Sequence, residues 1–213
     1  MDTLGTAPAN AALLLNGTDT SNWTTRSGDA SGWNVADGTL HVVPGTGDIM
    51  TNELFTDHAL HLEFRCPDMP DKTGQAKGNS GVFIAGRYEI QVLDSYGLNI
   101  PGKGDCGAIY NQFAPLENAC RPPMEWQTYD VFFRAARLDE EGSVTEAARM
   151  TVMQNGIVIH NNVVLQGVTG APLDEREGIP GPLLLQDHHD LVCYRNVWAI
   201  ELLLEGSDTY EPR

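Results

Sequence analysis

An antiparallel all-β sandwich of the jelly-roll type is the fold class this sequence predicts. Three observations carry the expectation. Short runs of alternating or β-branched residues recur from end to end, 22 glycines and 12 prolines punctuate them, and helical periodicity is nearly absent. A chain of 213 residues is within reach of one such sandwich, so a single core over residues 13–205 is expected, with an extension at 1–12 and a tail at 206–213.

The elements follow in chain order. Trp33-Asn-Val-Ala-Asp37-Gly38-Thr-Leu-His-Val42 places Asp-Gly between two alternating runs and predicts a type I′ hairpin. Strands are predicted over 59–65, 81–84, 88–93 and 129–134, where β-branched, aromatic and leucine residues dominate. The acidic stretch Leu138 to Ala148, broken by Gly142, reads as a loop or a single turn. Met150-Thr-Val-Met-Gln-Asn155-Gly156-Ile-Val-Ile-His160 carries Asn-Gly, the strongest short-range hairpin signal. Further strands are predicted over 183–186 and 192–200. The long connections at 66–78, 95–105, 111–123 and 166–182 are where function is expected to sit.

Charge narrows the partners. A formal net charge of −16 repels phosphate backbones and anionic lipid head groups, and no basic patch offsets it, so nucleic acid and membrane surfaces are not expected partners. No apolar run approaches the roughly 18 residues that would cross a bilayer. Four cysteines, Cys66, Cys106, Cys120 and Cys193, lack CxxC spacing and so read as structural thiols rather than a zinc or redox motif. Cys106 and Cys120 flank one loop and could close it as a disulfide in an oxidising compartment. The start, Met1-Asp2-Thr3-Leu4-Gly5, has neither the basic nor the apolar region of a signal peptide. That fits a cytoplasmic protein if Met1 is the native start, and a periplasmic or secreted one if a signal has been removed.

The polar residues that could carry chemistry concentrate in two strands. In Tyr88-Glu89-Ile90-Gln91-Val92-Leu93-Asp94, alternation puts Glu89 and Gln91 on one face and Ile90 and Val92 on the other. Asp94 joins Glu89 only if a bulge follows the strand; with it, the segment offers the two carboxyl groups of acid–base work on a glycosidic bond. The alternative is a plain solvated sheet face. Gly78-Asn79-Ser80-Gly81 either forms an ordinary turn or sets the Asn79 amide beside that face. Leu185-Gln186-Asp187-His188-His189-Asp190 ends an apolar strand with metal-capable side chains, but alternation parts Asp187 and His189 from His188 and Asp190. A four-ligand site is therefore not expected; a proton-transferring His188 is, with a divalent cation on two of these residues plus loop oxygens as the alternative. Arg195 stands in an otherwise buried run and requires a carboxylate partner such as Glu63 or Glu89. It is either an ion pair across the sheet or a cation for a substrate oxygen. Tyr88 and Tyr110 border the polar segment.

Taken in order, Leu14-Leu-Asn16-Gly17, Trp33-Asn-Val, Asp37-Gly38-Thr-Leu, Leu62-Glu-Phe-Arg65, Gly78-Asn-Ser-Gly-Val-Phe83, Tyr88-Glu-Ile-Gln-Val-Leu-Asp94, Gly107-Ala-Ile-Tyr110, Glu125-Trp126, Leu185-Gln-Asp-His188 and Tyr194-Arg-Asn196 resemble the 3-keto-disaccharide hydrolase domain family. The resemblance spans about Leu13 to Ile200 and implies a concanavalin-like sandwich that binds carbohydrate. Gln127 and His189 depart from the family's usual Asn and Gly. The Glu89, Gln91, Asp94 spacing also looks like the three-acid strand of laminarinase-like glucanases, with the middle acid replaced by an amide that cannot ionise. The resemblance therefore implies chemistry on a sugar already oxidised at C3, by elimination and hydration, with a non-catalytic lectin-like module on the same face as the alternative. It implies one face carrying Glu89, His188, Arg195 and Asp94 as catalytic candidates, and Glu63, Asn79, Gln91, Tyr110 and Gln186 as substrate contacts. No cofactor is required, a divalent cation apart.

Overall fold

A computed structural model describes residues 5–203. The expected tail at 206–213 and the first four residues lie outside the described residues. In chain order the strands are β1 (Ala12–Leu13), β2 (Trp23–Thr25), β3 (Asn34–Ala36), β4 (Thr39–His41), β5 (Ile49–Phe55), β6 (His58–Arg65), β7 (Ser80–Ile84), β8 (Tyr88–Val92), β9 (Gln127–Arg134), β10 (Arg137–Leu138), β11 (Val144–Glu146), β12 (Arg149–Gln154), β13 (Ile157–Val164), β14 (Gly181–Leu185) and β15 (Cys193–Glu201). One turn of 3-10 helix, Gly74–Ala76, interrupts them.

Two antiparallel sheets make a concanavalin-like sandwich. The larger runs β13-β12-β9-β6-β15-β4-β3, with β1 added beside β15, and the smaller runs β2-β5-β14-β7-β8. Period-two alternation decides which side chains meet between them. Leu60, Leu62 and Phe64 from β6 and Tyr129, Val131 and Phe133 from β9 share one core with Val82, Ile84, Tyr88, Ile90 and Val92 of the smaller sheet. Tyr88 crosses the gap to Phe133, ring centroids 5.3 Å apart. Tyr88 is thus a core residue, its hydroxyl donating to Glu177 at 2.7 Å, and not part of a sugar-facing surface.

Both expected hairpins form, and for the expected reason. Asp37 and Gly38 take φ of +51° and +73°, Asn155 and Gly156 +53° and +81°, the doubled positive φ of a type I′ turn. The Asn155 side chain also accepts from the Thr128 amide at 3.0 Å and donates to the Ala119 carbonyl at 2.7 Å, tying the hairpin tip to β9 and to the loop before it. The stretch 138–148 corrects the expectation of a loop or turn. Asp139 Oδ1 caps the Glu141 and Ser143 amides, and that tight turn pairs β10 with β11 as a small separate hairpin. All four cysteines are free, buried thiols. Instead of bonding to Cys120, Cys106 Sγ meets the Tyr129 hydroxyl at 3.3 Å and Gln154 Nε2 at 3.4 Å.

Candidate active site

The outer face of the smaller sheet, away from the shared core, carries the site. Glu89 and Gln91 project there because Tyr88, Ile90 and Val92 take the inner face. Loops then wall that face in. Residues 106–110 pair with the free edge of β8: Gln91 N–H donates to Ala108 O at 2.9 Å, Gly107 N–H to Gln91 O at 2.9 Å, and Tyr110 N–H to Glu89 O at 3.1 Å. Tyr110 is thereby set beside Glu89. Further along the same edge the loop at 167–174 docks onto the start of β8. Thr169 Oγ1 accepts from the Glu89 amide at 2.8 Å, and buried Arg87 clamps Asp174 at 2.8 Å while donating to the Ala85 and Ile179 carbonyls. Burial pushes the Asp174 carboxyl up, but hydrogen bonds from Arg87 and Arg176 outweigh it and hold the group well below the usual carboxylate range.

The result is a cavity of about 290 Å³ lined by Gln75, Asn79, Glu89, Gln91, Tyr110, Gly170, Ala171, Gln186 and His188. That volume lies at the low end of the ~300–1,000 Å³ of small-molecule sites, the size for one sugar ring rather than a chain. Six residues expected from sequence meet here: Asn79, Glu89, Gln91, Tyr110, Gln186 and His188. Gln75, Gly170 and Ala171 join them from loops without periodic signal.

Glu89 dominates the electrostatics. It is 4% exposed and has no cationic partner among the described residues. Burial, helped by the negative charge of Asp48, pushes its carboxyl up to about 8. The side chains within hydrogen-bond reach of it are neutral. The Gln91 amide sits with one end 3.0 Å from Glu89 Oε1 and 3.2 Å from Ser80 O; the other faces Gln75 Oε1 at 3.1 Å and Asn79 Oδ1 at 3.3 Å. Turned toward Glu89, the NH₂ group donates to the carboxylate; turned away, its oxygen accepts from the protonated acid. Gln186 Oε1 is buried and unpaired. Gly81, paired across the strands with Gln91, leaves room for all this: a β-carbon there would stand 2.6 Å from Glu89 Oε1.

Three expected members lie elsewhere. Arg195 and Glu63 are register partners on β15 and β6, and Arg195 Nε meets Glu63 Oε2 at 2.6 Å with the guanidinium 4.1 Å from the Trp126 ring centre. They occupy the outer face of the larger sheet, so both sheets stand between them and Glu89. Arg195 therefore serves the ion pair and not the cavity. Asp94 is the third. β8 ends at Val92 with no bulge to return Asp94 to the Glu89 face; the Asp94 amide donates to Lys77 O at 3.0 Å and its carboxylate pairs with Lys77 Nζ at 2.8 Å, beside a different cavity.

The cation alternative does not fit the residues present. Asp187 Oδ2 accepts from the amides of Gly45 and Gly47, its Oδ1 from that of His189, and Asp190 Oδ2 accepts from the Asn79 amide. These carboxylates staple loops. Among the described residues no group of three or more His, Cys, Asp or Glu side chains is arranged to hold a metal. None of the four tryptophans lines the cavity. Another cavity at the far edge of the same sheet, about 330 Å³, is lined by Leu14, Asn22, Thr51, Asn52 and Glu53; the side chains of Asn22, Thr51 and Asn52 are already spent on backbone carbonyls.

The protein is thus a concanavalin-like sandwich with a small, amide-rich cavity around one buried carboxyl group. The chain belongs to the family described as the 3-keto-alpha-glucoside-1,2-lyase-like domain, whose model matches residues 10–200. A crystal structure from Parabacteroides distasonis described as a "putative glycosyl hydrolase" is 38% identical, with TM-score 0.84 over 92% of this chain and 85% of that one. A second protein of that description and organism is 21% identical, with TM-score 0.66 over 91% and 94%. The alginate lyase Aly36B, 12% identical with TM-score 0.50 over 92% and 98%, shares the fold. No curated protein matches.

Proposed function

We propose that the protein cleaves glycosides whose sugar is already oxidised to a ketone at C3, by elimination followed by addition of water. The observation that carries this reading is Glu89, a lone buried carboxyl group raised to about 8 among neutral amides. Ordinary retaining or inverting hydrolysis uses two carboxyl groups roughly 5–10 Å apart, and Asp94 is turned away to Lys77. A carbon acid next to a ketone needs only one strong base. A carboxylate with a raised proton affinity suits that task.

The step balances without a cofactor. Glu89 as carboxylate takes the C2 proton; the C–H electrons form the C1–C2 double bond as the C1–O bond breaks. The pair from that bond leaves on the glycosidic oxygen, which takes a proton from His188 at the cavity rim. Charge developing on the C3 oxygen is met by the Gln186 amide and the Tyr110 hydroxyl, the role first expected of Arg195. Water then gives one proton back to His188 as its hydroxyl adds to C1, and Glu89 returns to C2 the proton it took. One water is consumed, and an alcohol and a 3-keto sugar are released.

The test is incubation with a methyl 3-keto-glucoside and its unoxidised parent, following methanol release. Cleavage of the keto substrate alone, lost in Glu89→Gln and reduced in His188→Ala, supports the reading. If neither is cleaved while sugar raises the melting temperature, the cavity belongs to a lectin-like binding module.

A further inference from the structure

A second cavity of about 430 Å³ adjoins the first. It is lined by Met69, Lys72, Gln75, Ala76, His188, His189 and Asp190, so Gln75 and His188 form the wall common to both. On the mechanism above, His188 stands where the glycosidic oxygen leaves. The group attached to that oxygen then lies in this second cavity.

The two cavities differ in chemistry. The first offers acceptors and amides to hydroxyl groups: Glu89, Gln91 and the unpaired Gln186 oxygen. In the second, the carboxylate and amide groups are partly used. Asp190 Oδ2 is taken by the Asn79 amide at 2.7 Å, Gln75 Nε2 by Gly104 O at 2.6 Å, and Gln75 Oε1 by Asn79 and Gln91. What remains is the Lys72 ammonium, which makes no ion pair among the described residues, two exposed imidazoles and the apolar part of Met69, whose sulfur accepts from the Gly78 N–H at 3.2 Å. Thioether, ammonium and imidazole share one favourable partner, the face or edge of an aromatic ring. His189, at the cavity rim, holds φ at +68°, a backbone region that glycine takes most easily.

We propose that the leaving group is an aromatic alcohol seated in the Met69–Lys72–His189 cavity, so that the preferred substrates are phenolic 3-keto-glycosides rather than 3-keto-disaccharides. The proposal rests on the keto-glycoside reading of the Glu89 cavity.

The test compares phenyl, glucosyl and methyl 3-keto-glucosides by release of 3-keto-glucose, in the wild type, Met69→Ala and His189→Gly. Taking each variant relative to wild type on the same substrate cancels the intrinsic reactivity of the leaving group. Each variant is expected to lose about 3- to 10-fold more kcat/KM on the phenyl substrate than on the other two, the size of one sulfur–aromatic or ring–ring contact. His189→Gly relieves backbone strain, so a folding failure there is not expected. Equal losses on phenyl and glucosyl substrates, or no loss on phenyl, overturn the proposal. If the wild type cleaves none of the three, the keto-glycoside reading fails, and binding decides the cavity. Phenyl glucoside, but not methyl glucoside, should then shift the Met69 methyl resonance, and no shift overturns the proposal.

Discussion

The two outer faces of the sandwich use polar residues in opposite ways. On the larger sheet the central carboxylates have partners: Glu63 pairs with Arg195, which stacks on Trp126, and Asp130 meets His61 at 2.7 Å beneath Trp198. On the smaller sheet Glu89 is more buried than Glu63, Arg195 or Asp130 and has no countercharge among the described residues. A paired charge lowers its own energy and does little else, whereas an unpaired buried one is held in a state it would leave by taking or giving a proton. The contrast separates the two faces electrostatically although both look equally polar in sequence.

The sharpest way to break the contrast is to neutralise each face in turn. Glu89→Gln is expected to lower cleavage of a 3-keto-glucoside by about 10²–10⁴-fold, the range for a general base, whereas Glu63→Gln should stay within about 2-fold and lose stability instead. A steady-state assay with thermal melts of both variants reads the difference.

Gly81→Ala follows in size. Its β-carbon would stand 2.6 Å from Glu89 Oε1 and 3.0 Å from the buried Phe83 ring, and displacement of the base by about 1 Å costs about 10²-fold; kcat should fall by far more than the accompanying loss of melting temperature accounts for.

The third prediction concerns pH. Glu89 must lose a proton to act in the proposed mechanism, so the acid limb of kcat/KM should rise with pH toward about 8. Stability should run the other way. The folded carboxyl holds its proton up to about 8, while the unfolded one releases it near the ordinary 4.5. The native state therefore binds more protons between those values, and its stability falls as pH rises through that window. Glu89→Gln removes this slope, so the variant should melt higher than wild type at pH 8 and about equally at pH 4, by calorimetry at both.

Gln91→Glu would bring a second carboxyl within about 3 Å of Glu89 and give the smaller face the like-charge pair it lacks. The activity midpoint should move up by at least about one pH unit. The smallest effect is expected of Arg195→Ala, which strips an exposed partner from Glu63: about 0.5–1 kcal/mol of stability by denaturant unfolding, with kcat/KM unchanged.

The fold was largely legible in the sequence where local chemistry decides it. Asn155-Gly156 and Asp37-Gly38 specify their turns, and the alternation of Tyr88 to Val92 assigns Glu89 and Gln91 to one face. β5 escaped because Asn52 and Glu53 interrupt its pattern, being exposed near one end of the sheet. In the site, alternation tells which residues leave a strand on the same side, but not which sheet the strand joins. Arg195 and Glu89 both point outward, from different sheets, and only tertiary pairing separates them. Asp94 failed for a related reason, since its direction is set by the Lys77 carbonyl and ammonium, contacts made through a connection that carries no period. Gly81 had a signal, a glycine inside a strand, which marks close approach of another group.

The Asn155-Gly156 turn has a consequence for the ageing of the protein. Asn-Gly is the dipeptide in which the following backbone nitrogen most readily attacks the side-chain amide, converting asparagine to aspartate or isoaspartate. Here the amide is held at both ends, by the Thr128 N–H and the Ala119 carbonyl, so it is not free to swing into the attacking geometry. The same two bonds that anchor the hairpin tip act as a preservative, and deamidation at this turn should become fast only when the hairpin opens.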